Sequence, residues 1–318
     1  MNLEERQLSK VLVTGGAGFI GSNLVDQLIQ DGDEVVIVDD LSMGLASNIP
    51  SSSKVTFYEH SITDHDFMKD LLLKEQFDYI YLLAAIASVA DSVARPYETH
   101  QINQEANIFI LETIRQHNLA IKKVLFTSSA AVYGNNPELP KREDSTIDPL
   151  TPYAIDKFAT ERFVIDYGKL YNIPTVAVRF FNVYGPRQNP KSPYSGVLSL
   201  ITQAAKHQSA FTIFGDGEQT RDFVFIKDII QALCLLTKGS DIVHQVFNVG
   251  AGKHTSLNQV IQVYEQIIDR ELQIIHKAER VGDIKHSYAD ITQLRSLGYQ
   301  PHYDITTGLK LYWESLTD

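Results

Sequence analysis

The chain is predicted to be an α/β protein built on a doubly wound parallel sheet, with a smaller second α/β domain. Three observations predict it. Short, continuous apolar strands such as "KVLVT" and "EVVIVD" alternate with helical patterns through the first half of the chain. Continuous rather than alternating apolar runs mark strands covered on both faces. A glycine-rich turn, "TGGAGFIG", joins the first strand to the first helix. After Pro186 the rhythm breaks into the loop-like "GPRQNPKSPYSG" and then into mixed short elements.

The elements follow in order. "KVLVTGG" (10–16) is a β-branched run ending in glycines, and "FIGSNLVDQLIQDG" has helical spacing with Gly32 as its stop. "EVVIVDD", "KVTFYEH", "FDYIYLLAA", "KKVLFTSS" and "IPTVAVRFFNVYG" read as strands two to six. "YETHQINQEANIFILETIRQHN" and "YAIDKFATERFVIDYGKLYN" read as long helices between them. "VFNVGAG" is predicted to return to the first sheet. The expected domains are 1–185, with a returning segment near 222–250, and 186–318. Ligands of such sheets sit at the carboxyl ends of the strands.

Composition narrows the function. The chain has 318 residues, 44% of them apolar, and a net charge of −11, which disfavours general nucleic-acid binding. A single cysteine, Cys234, allows no intrachain disulfide and fits a reducing compartment. No apolar run reaches the length of a membrane span, and the polar "MNLEERQLSK" is unlike a signal peptide. A soluble, cytoplasmic protein without membrane or nucleic-acid partners is expected. His60, His244 and His276 show no metal-ligand spacing, so no metal is expected.

Gly15, Gly18 and Gly21 fall between a strand and a helix that opens with Phe19 and Ile20. This is where a Rossmann fold binds a pyrophosphate: the first glycine permits the turn, the second the backbone approach, and the third close helix–strand packing. Glycine triplets also occur in purely structural turns. Here the strand before, the helix after and the acid Asp39, 24 residues beyond Gly15, agree on a dinucleotide. A carboxylate at Asp39 accepts from ribose hydroxyls and repels a 2′-phosphate, which favours NAD over NADP.

"YAIDK" places Tyr153 and Lys157 on one helical face, with Thr151 able to cap that helix and Pro152 in its first turn. Ser129 lies 24 residues earlier, at the end of the fifth strand. A lysine ammonium and a positive nicotinamide would both lower the phenol pKa, letting Tyr153 act as a base.

These residues resemble the extended short-chain dehydrogenase/reductase family, and within it the nucleotide-sugar 4-epimerases, from about Lys10 to Trp313. The resemblance implies catalytic roles for Ser129, Tyr153 and Lys157, with Ser128 the neighbouring candidate. It implies an NAD site including Asp40, Ser42, Ile62, Leu83, Ala84, Ala85, Asn103 and Phe180. It implies a UDP-sugar site including Ser88, Asn182, Val197, Thr212, Phe214, Arg221, Arg280, Asp283 and Ser287, with 211–214 lining the uracil through backbone. The implied reaction removes hydride from C4, rotates the 4-keto sugar and returns hydride to the other face. Sugar dehydratases of this family carry Asp-Glu after the strand-five hydroxyl. Ala130 and Ala131 stand there in this chain and cannot move a proton.

Ser287 stands where epimerases restricted to plain hexoses often carry tyrosine, so room for a 2-acetamido group is expected. An enzyme restricted to UDP-glucose and UDP-galactose, a 4-keto-sugar reductase and a silent NAD-binding sensor are the alternatives. "QNPKSPYSG" lacks the pattern of the uronate epimerases. Departures from the family pattern are Ser61 before Ile62, Leu82 in the fourth strand and Asp40 beside Asp39. A homodimer through helices near 97–118 and 153–172 is implied by the family.

Overall fold

The structure is a computed structural model that describes residues 8–188, 196–279 and 284–316. Its main sheet contains β1 (Lys10–Thr14), β2 (Glu34–Asp39), β3 (Val55–Glu59), β4 (Tyr79–Leu82), β5 (Lys123–Ser129) and β6 (Thr175–Phe180), together with Gln245–Val249. From edge to edge the order is Gln245–Val249, β6, β5, β4, β1, β2, β3. β1 runs parallel to β2 and β4, β2 to β3, and β4 to β5. The winding direction reverses between β1 and β4, which opens a crevice at their carboxyl ends. The doubly wound sheet and the returning seventh strand are as expected.

Both faces of the sheet are covered, which is why its strands are continuously apolar. Leu12, Val36, Val38, Ile80, Val124 and Phe126 are buried with Leu111, Ile114 and Val164 from the helices. At about 25 cal/mol per Å² of apolar surface, such a core supplies the main term holding the sheet together. The helix Pro152–Tyr171 ends at Asn172, which adopts the left-handed conformation (φ 55°), followed by Ile173 and Pro174.

Two elements differ from expectation. "IPTVAVRFFNVYG" is not one strand. After Phe181 the chain leaves the large sheet, and Asn182–Tyr184 pairs instead with Phe223–Phe225. The backbone bonds divide accordingly, Phe181 N donating to Val249 O and Asn182 N to Asp222 O. The long helix expected over 97–118 is three pieces: Pro96–His100, a wide π turn at Gln101–Glu105, and Ala106–Gln116. Asn103 lies in the wide turn, where its buried carboxamide faces the backbone of Ile86.

The chain divides into two compact units. One comprises residues up to Val132, Pro149–Arg179 and Leu233–Val246; the other comprises Tyr133–Asp148, Phe180–Ala232 and the residues from Phe247 on. Tyr133–Asp148 falls before residue 185, yet it packs within the second unit. The reason is hydrogen bonding: Lys141 N donates to Tyr288 O (2.9 Å), Asp290 N to Lys141 O (2.7 Å), and Tyr133 OH to Asn248 Oδ1 (2.7 Å). The second unit holds short sheets, Phe211–Phe214 with Ile274–Lys277, and Thr220–Arg221 between Thr255–Ser256 and His286–Ser287. Among the described residues no helix is long and apolar enough to cross a membrane.

Candidate active site

The nucleotide end of the first unit is built around the glycine turn. Gly15 has φ 73°, and a Cβ there would lie 2.8 Å from Ala84 N. Only glycine allows the turn to approach the loop after β4 this closely. A Cβ on Gly21 would lie 2.1 Å from Gly15 O, so the helix Phe19–Gln30 packs directly on the turn. Gly18 is the N-cap of that helix and supplies no side-chain cap, so the first-turn N–H groups, including those of Phe19 and Ile20, face the turn uncapped. Such an end attracts anions.

Asp39 is buried at the end of β2. Its Oδ2 accepts from Ala17 N (3.0 Å) and its Oδ1 from Leu41 N (2.9 Å). Burial raises its pKa, and these N–H groups oppose the rise. Asp39 therefore shapes the glycine turn as well as presenting lone pairs to a ribose, since each carboxylate oxygen accepts more than one bond. Asp40 is exposed and accepts from Ser42 N and Ser42 Oγ, which orders the next loop. Leu83 N and Ala84 N both donate to Thr14 Oγ1, and Ala85 continues that half-buried loop. Ile62 is buried in the core. Ser61, the departure noted above, bonds Thr63 Oγ1 at 2.9 Å. Leu82 is buried in β4. Phe180 closes β6, half-buried.

Two residues carry local tasks that sequence reading missed. Asn103, expected beside the cofactor, has its Oδ1 accepting from Ile86 N (2.8 Å) and its Nδ2 donating to Ile86 O (3.0 Å). It holds the loop that bears Ala84 and Ala85. Ser88, expected to face the sugar, caps the helix Val89–Ala94, its Oγ accepting from Asp91 N at 2.9 Å. The signal available in the sequence was "SVAD", a serine three residues before an acid.

The catalytic candidates converge in the same unit. Ser129 ends β5, its Oγ accepts from Ala131 N (3.2 Å), and it lies near enough to Tyr153 to lower the phenol pKa. Ser128, the other candidate, alternates to the opposite face of the strand, where its Oγ is buried with no partner. Thr151 Oγ1 accepts from Ala154 N (3.3 Å) and starts the helix that carries Tyr153 and Lys157. Lys157 is buried, donates to Thr127 O at 2.8 Å, and lies 6.0 Å from the centre of the Tyr153 ring.

The electrostatics differ from expectation in one respect. Lys157 does not lower the Tyr153 pKa in the cofactor-free chain. Burial raises it, and Ser129 opposes that rise. Burial also pulls Lys157 down to about 7, with Asp156 opposing. A lysine with a pKa near neutrality is only partly charged at pH 7, so its support for a phenolate is weaker than a full ammonium would give.

In the second unit, Arg221 and Ser287 face each other across a parallel pair of two-residue strands. Asn182 is exposed at the start of its strand. Val197 is half-buried at the first turn of Val197–His207. Thr212 and Phe214 lie half-buried on Phe211–Phe214, and Gln219 Nε2 donates to Phe214 O at 3.0 Å. Arg280 and Asp283 lie outside the described residues. Among the described residues no three His, Cys, Asp or Glu side chains form a metal site.

The sequence profile of the NAD dependent epimerase/dehydratase family matches residues 11–250. The chain belongs to this family. UDP-glucose 4-epimerase of Mycolicibacterium smegmatis is 37% identical over 305 residues, 94% of this chain and 96% of that one. The structure of UDP-glucose 4-epimerase from Thermotoga maritima with UDP-glucose is similar at a TM-score of 0.91 and 35% identity, covering 97% and 98% of the two chains. That of UDP-N-acetylglucosamine 4-epimerase from Methanobrevibacter ruminantium is similar at 0.92 and 37%, covering 98% and 99%.

The cofactor of this epimerase/dehydratase is NAD, and the residues fit it. The uncapped helix end at Gly18 suits a pyrophosphate, and the buried Asp39 suits an unphosphorylated ribose. The shifted Lys157 has a measurable consequence. Its folded-state pKa of about 7 lies below its ordinary 10.5, so the folded chain binds fewer protons between those values. Stability of the cofactor-free protein therefore rises with pH across that window and is lower below it. Lys157→Met is expected to stabilise the protein by about 1 kcal/mol below pH 7, less as pH rises, while abolishing turnover. Urea unfolding at a series of pH values checks this; an equal gain at every pH refutes it.

Proposed function

We infer that this enzyme is an NAD-dependent UDP-sugar 4-epimerase that accepts 2-acetamido sugars. The observation that carries it is Lys157 Nζ on Thr127 O, 6.0 Å from the centre of the Tyr153 ring, with Ser129 near enough to lower the phenol pKa and two alanines after it on the turn Ala130–Tyr133. Bound NAD supplies reversible acceptance of hydride at C4. Tyr153 takes the proton of the 4-hydroxyl and later returns it. Ser129, its rotamer held by Ala131 N, donates to the same substrate oxygen. Lys157 bonds the carbonyl of Thr127 and brings its ammonium group to 6.0 Å from the centre of the Tyr153 ring. Ala130 and Ala131 provide no acid or base for elimination, so the 4-keto sugar regains its hydride rather than losing water.

Acceptance of UDP-GlcNAc and UDP-GalNAc is supported by Ser287, a small, half-buried side chain opposite Arg221. A similar protein of known structure is named a UDP-N-acetylglucosamine 4-epimerase. The narrower reading, UDP-glucose and UDP-galactose alone, draws on relatives named UDP-glucose 4-epimerase. Incubation with UDP-GlcNAc and, separately, UDP-glucose without added reductant decides between them. No 4-epimer from either sugar rejects the function. Ser287→Tyr is expected to lower kcat/KM for UDP-GlcNAc about tenfold more than for UDP-glucose, since a filled pocket excludes the acetamido group. Equal losses would reject Ser287 as the gate.

A homodimer accords with this reading. Tyr97, Ile155, Phe163, Leu170 and Tyr171 expose apolar or aromatic surface on the helices around 96–116 and 152–171. A second copy is the proposed cover for that surface. Sedimentation equilibrium is expected to give twice the chain mass, and Ile155→Glu to give one chain mass; a monomer at micromolar wild-type protein rejects it.

A further inference from the structure

Arg221 and Ser287 are brought together by very little backbone. Thr220–Arg221 pairs with His286–Ser287 on one side and with Thr255–Ser256 on the other, each ladder two residues long. A slip of one residue in such a ladder turns every side chain to the opposite face. Two residue pairs are too few to hold register unaided, so another contact must hold it.

Asp222 follows Arg221 directly, at the point where the chain passes from this sheet to the strand Phe223–Phe225. Its side chain is wholly buried. Oδ1 accepts from Ala251 N at 2.8 Å, and Oδ2 accepts from Gly252 N at 3.0 Å and Ala289 N at 3.1 Å. Its own carbonyl accepts from Asn182 N at 3.0 Å. One carboxylate thus grips the segment two residues beyond Ser287 and the loop that leads into Thr255. The grip is close: a Cβ on Gly250 would lie 2.7 Å from Asp222 Oδ2 and 3.1 Å from Ala289 Cβ. Tyr299 OH fastens the same loop by donating to Gly250 O at 2.9 Å.

We propose that Asp222 is a positioning and specificity-determining residue: through Ala289 it sets Ser287 opposite Arg221, and through Ala251 and Gly252 it sets Thr255 opposite the same arginine. Asp222 touches no reacting atom. It acts on how the UDP-sugar is held, which rests on the 4-epimerase reading above. An ionised acceptor is required, because every group facing it is a backbone donor and an amide NH₂ in its place would oppose one of them.

The test is Asp222→Asn in the full-length, NAD-loaded enzyme, with wild type alongside. Charge-assisted bonds of this number lead to an expected rise of about tenfold or more in KM for UDP-GlcNAc and in Kd for UDP. The preference between UDP-GlcNAc and UDP-glucose should collapse with it, while kcat at saturation stays within a few-fold. A general loss of structure would lower kcat and NAD retention instead. Unchanged UDP affinity and unchanged preference overturn the proposal, as does a fall in kcat alone. Should Asp222→Asn fail to fold, Gly250→Ala keeps the carboxylate but crowds Oδ2, and it is expected to raise KM in the same way; wild-type KM in that variant overturns the proposal. A third measurement needs no variant: amide exchange at Ala251, Gly252 and Ala289 of the wild type is expected to slow together when UDP is added, and unchanged exchange overturns it. Wild type that neither binds UDP nor converts either sugar rejects the 4-epimerase reading itself, whereas an active wild type with an indifferent Asp222→Asn rejects only the role of Asp222.

Discussion

Tyr153→Phe is expected to lower kcat by about two to four orders of magnitude, the span general acid–base catalysis supplies. In the proposed reaction the phenol moves the 4-hydroxyl proton, because a serine hydroxyl is a poor base and Lys157 is turned to Thr127 O. The ring stays, so the buried packing stays. The cost to stability is expected to be small, about 1 kcal/mol or less, since only a buried hydroxyl is removed. NAD retention should be unchanged. Single-turnover formation of the 4-keto sugar measures the effect directly. Wild-type kcat in the variant would remove Tyr153 from the reaction, and a large drop in melting temperature would show that the loss was structural.

The second large effect concerns stability. Glu161 and Arg179 form a buried ion pair in the first unit, Arg179 Nε donating to Oε2 at 2.9 Å and Nη2 to Oε1 at 2.6 Å. Both side chains are almost fully enclosed, at 1% and 4% exposure, so removing either forfeits two charge-assisted hydrogen bonds in a buried setting. Glu161→Ala is expected to cost about 3–5 kcal/mol, seen as a fall of roughly 10 °C in Tm. Pairing it with Arg179→Met should recover much of that loss, since an apolar replacement of both partners removes both buried charges together. Thermal unfolding of the two single variants and the double one measures it; a double variant as unstable as Glu161→Ala rejects the account. Glu161 lies one helical turn beyond Lys157, so the pair also fastens the catalytic helix to β6.

Much of this was legible in one dimension. The glycine turn, Asp39, and the spacing of Ser129, Tyr153 and Lys157 are local features, and local backbone geometry dictates them. Where reading failed, a distant partner had taken over. Nothing in "YETHQINQEANIF" announces a π turn, because the turn exists to let Asn103 reach Ile86. The sixth strand read as continuous because "TVAVRFFNVY" is apolar throughout. Its break at Phe181 is set by Val249 and Asp222, far along the chain.

By itself, then, the sequence determined the doubly wound sheet and the glycine turn at its first strand, since periodicity of apolar residues and glycine sterics act over a few residues. Tertiary structure alone decided which serine meets Tyr153, how burial moves the pKa values of Tyr153 and Lys157, and which carboxylate grips the strand bearing Ser287. Those depend on desolvation and on hydrogen bonds between residues such as Asp222 and Ala289, 67 positions apart, and no local pattern encodes that distance.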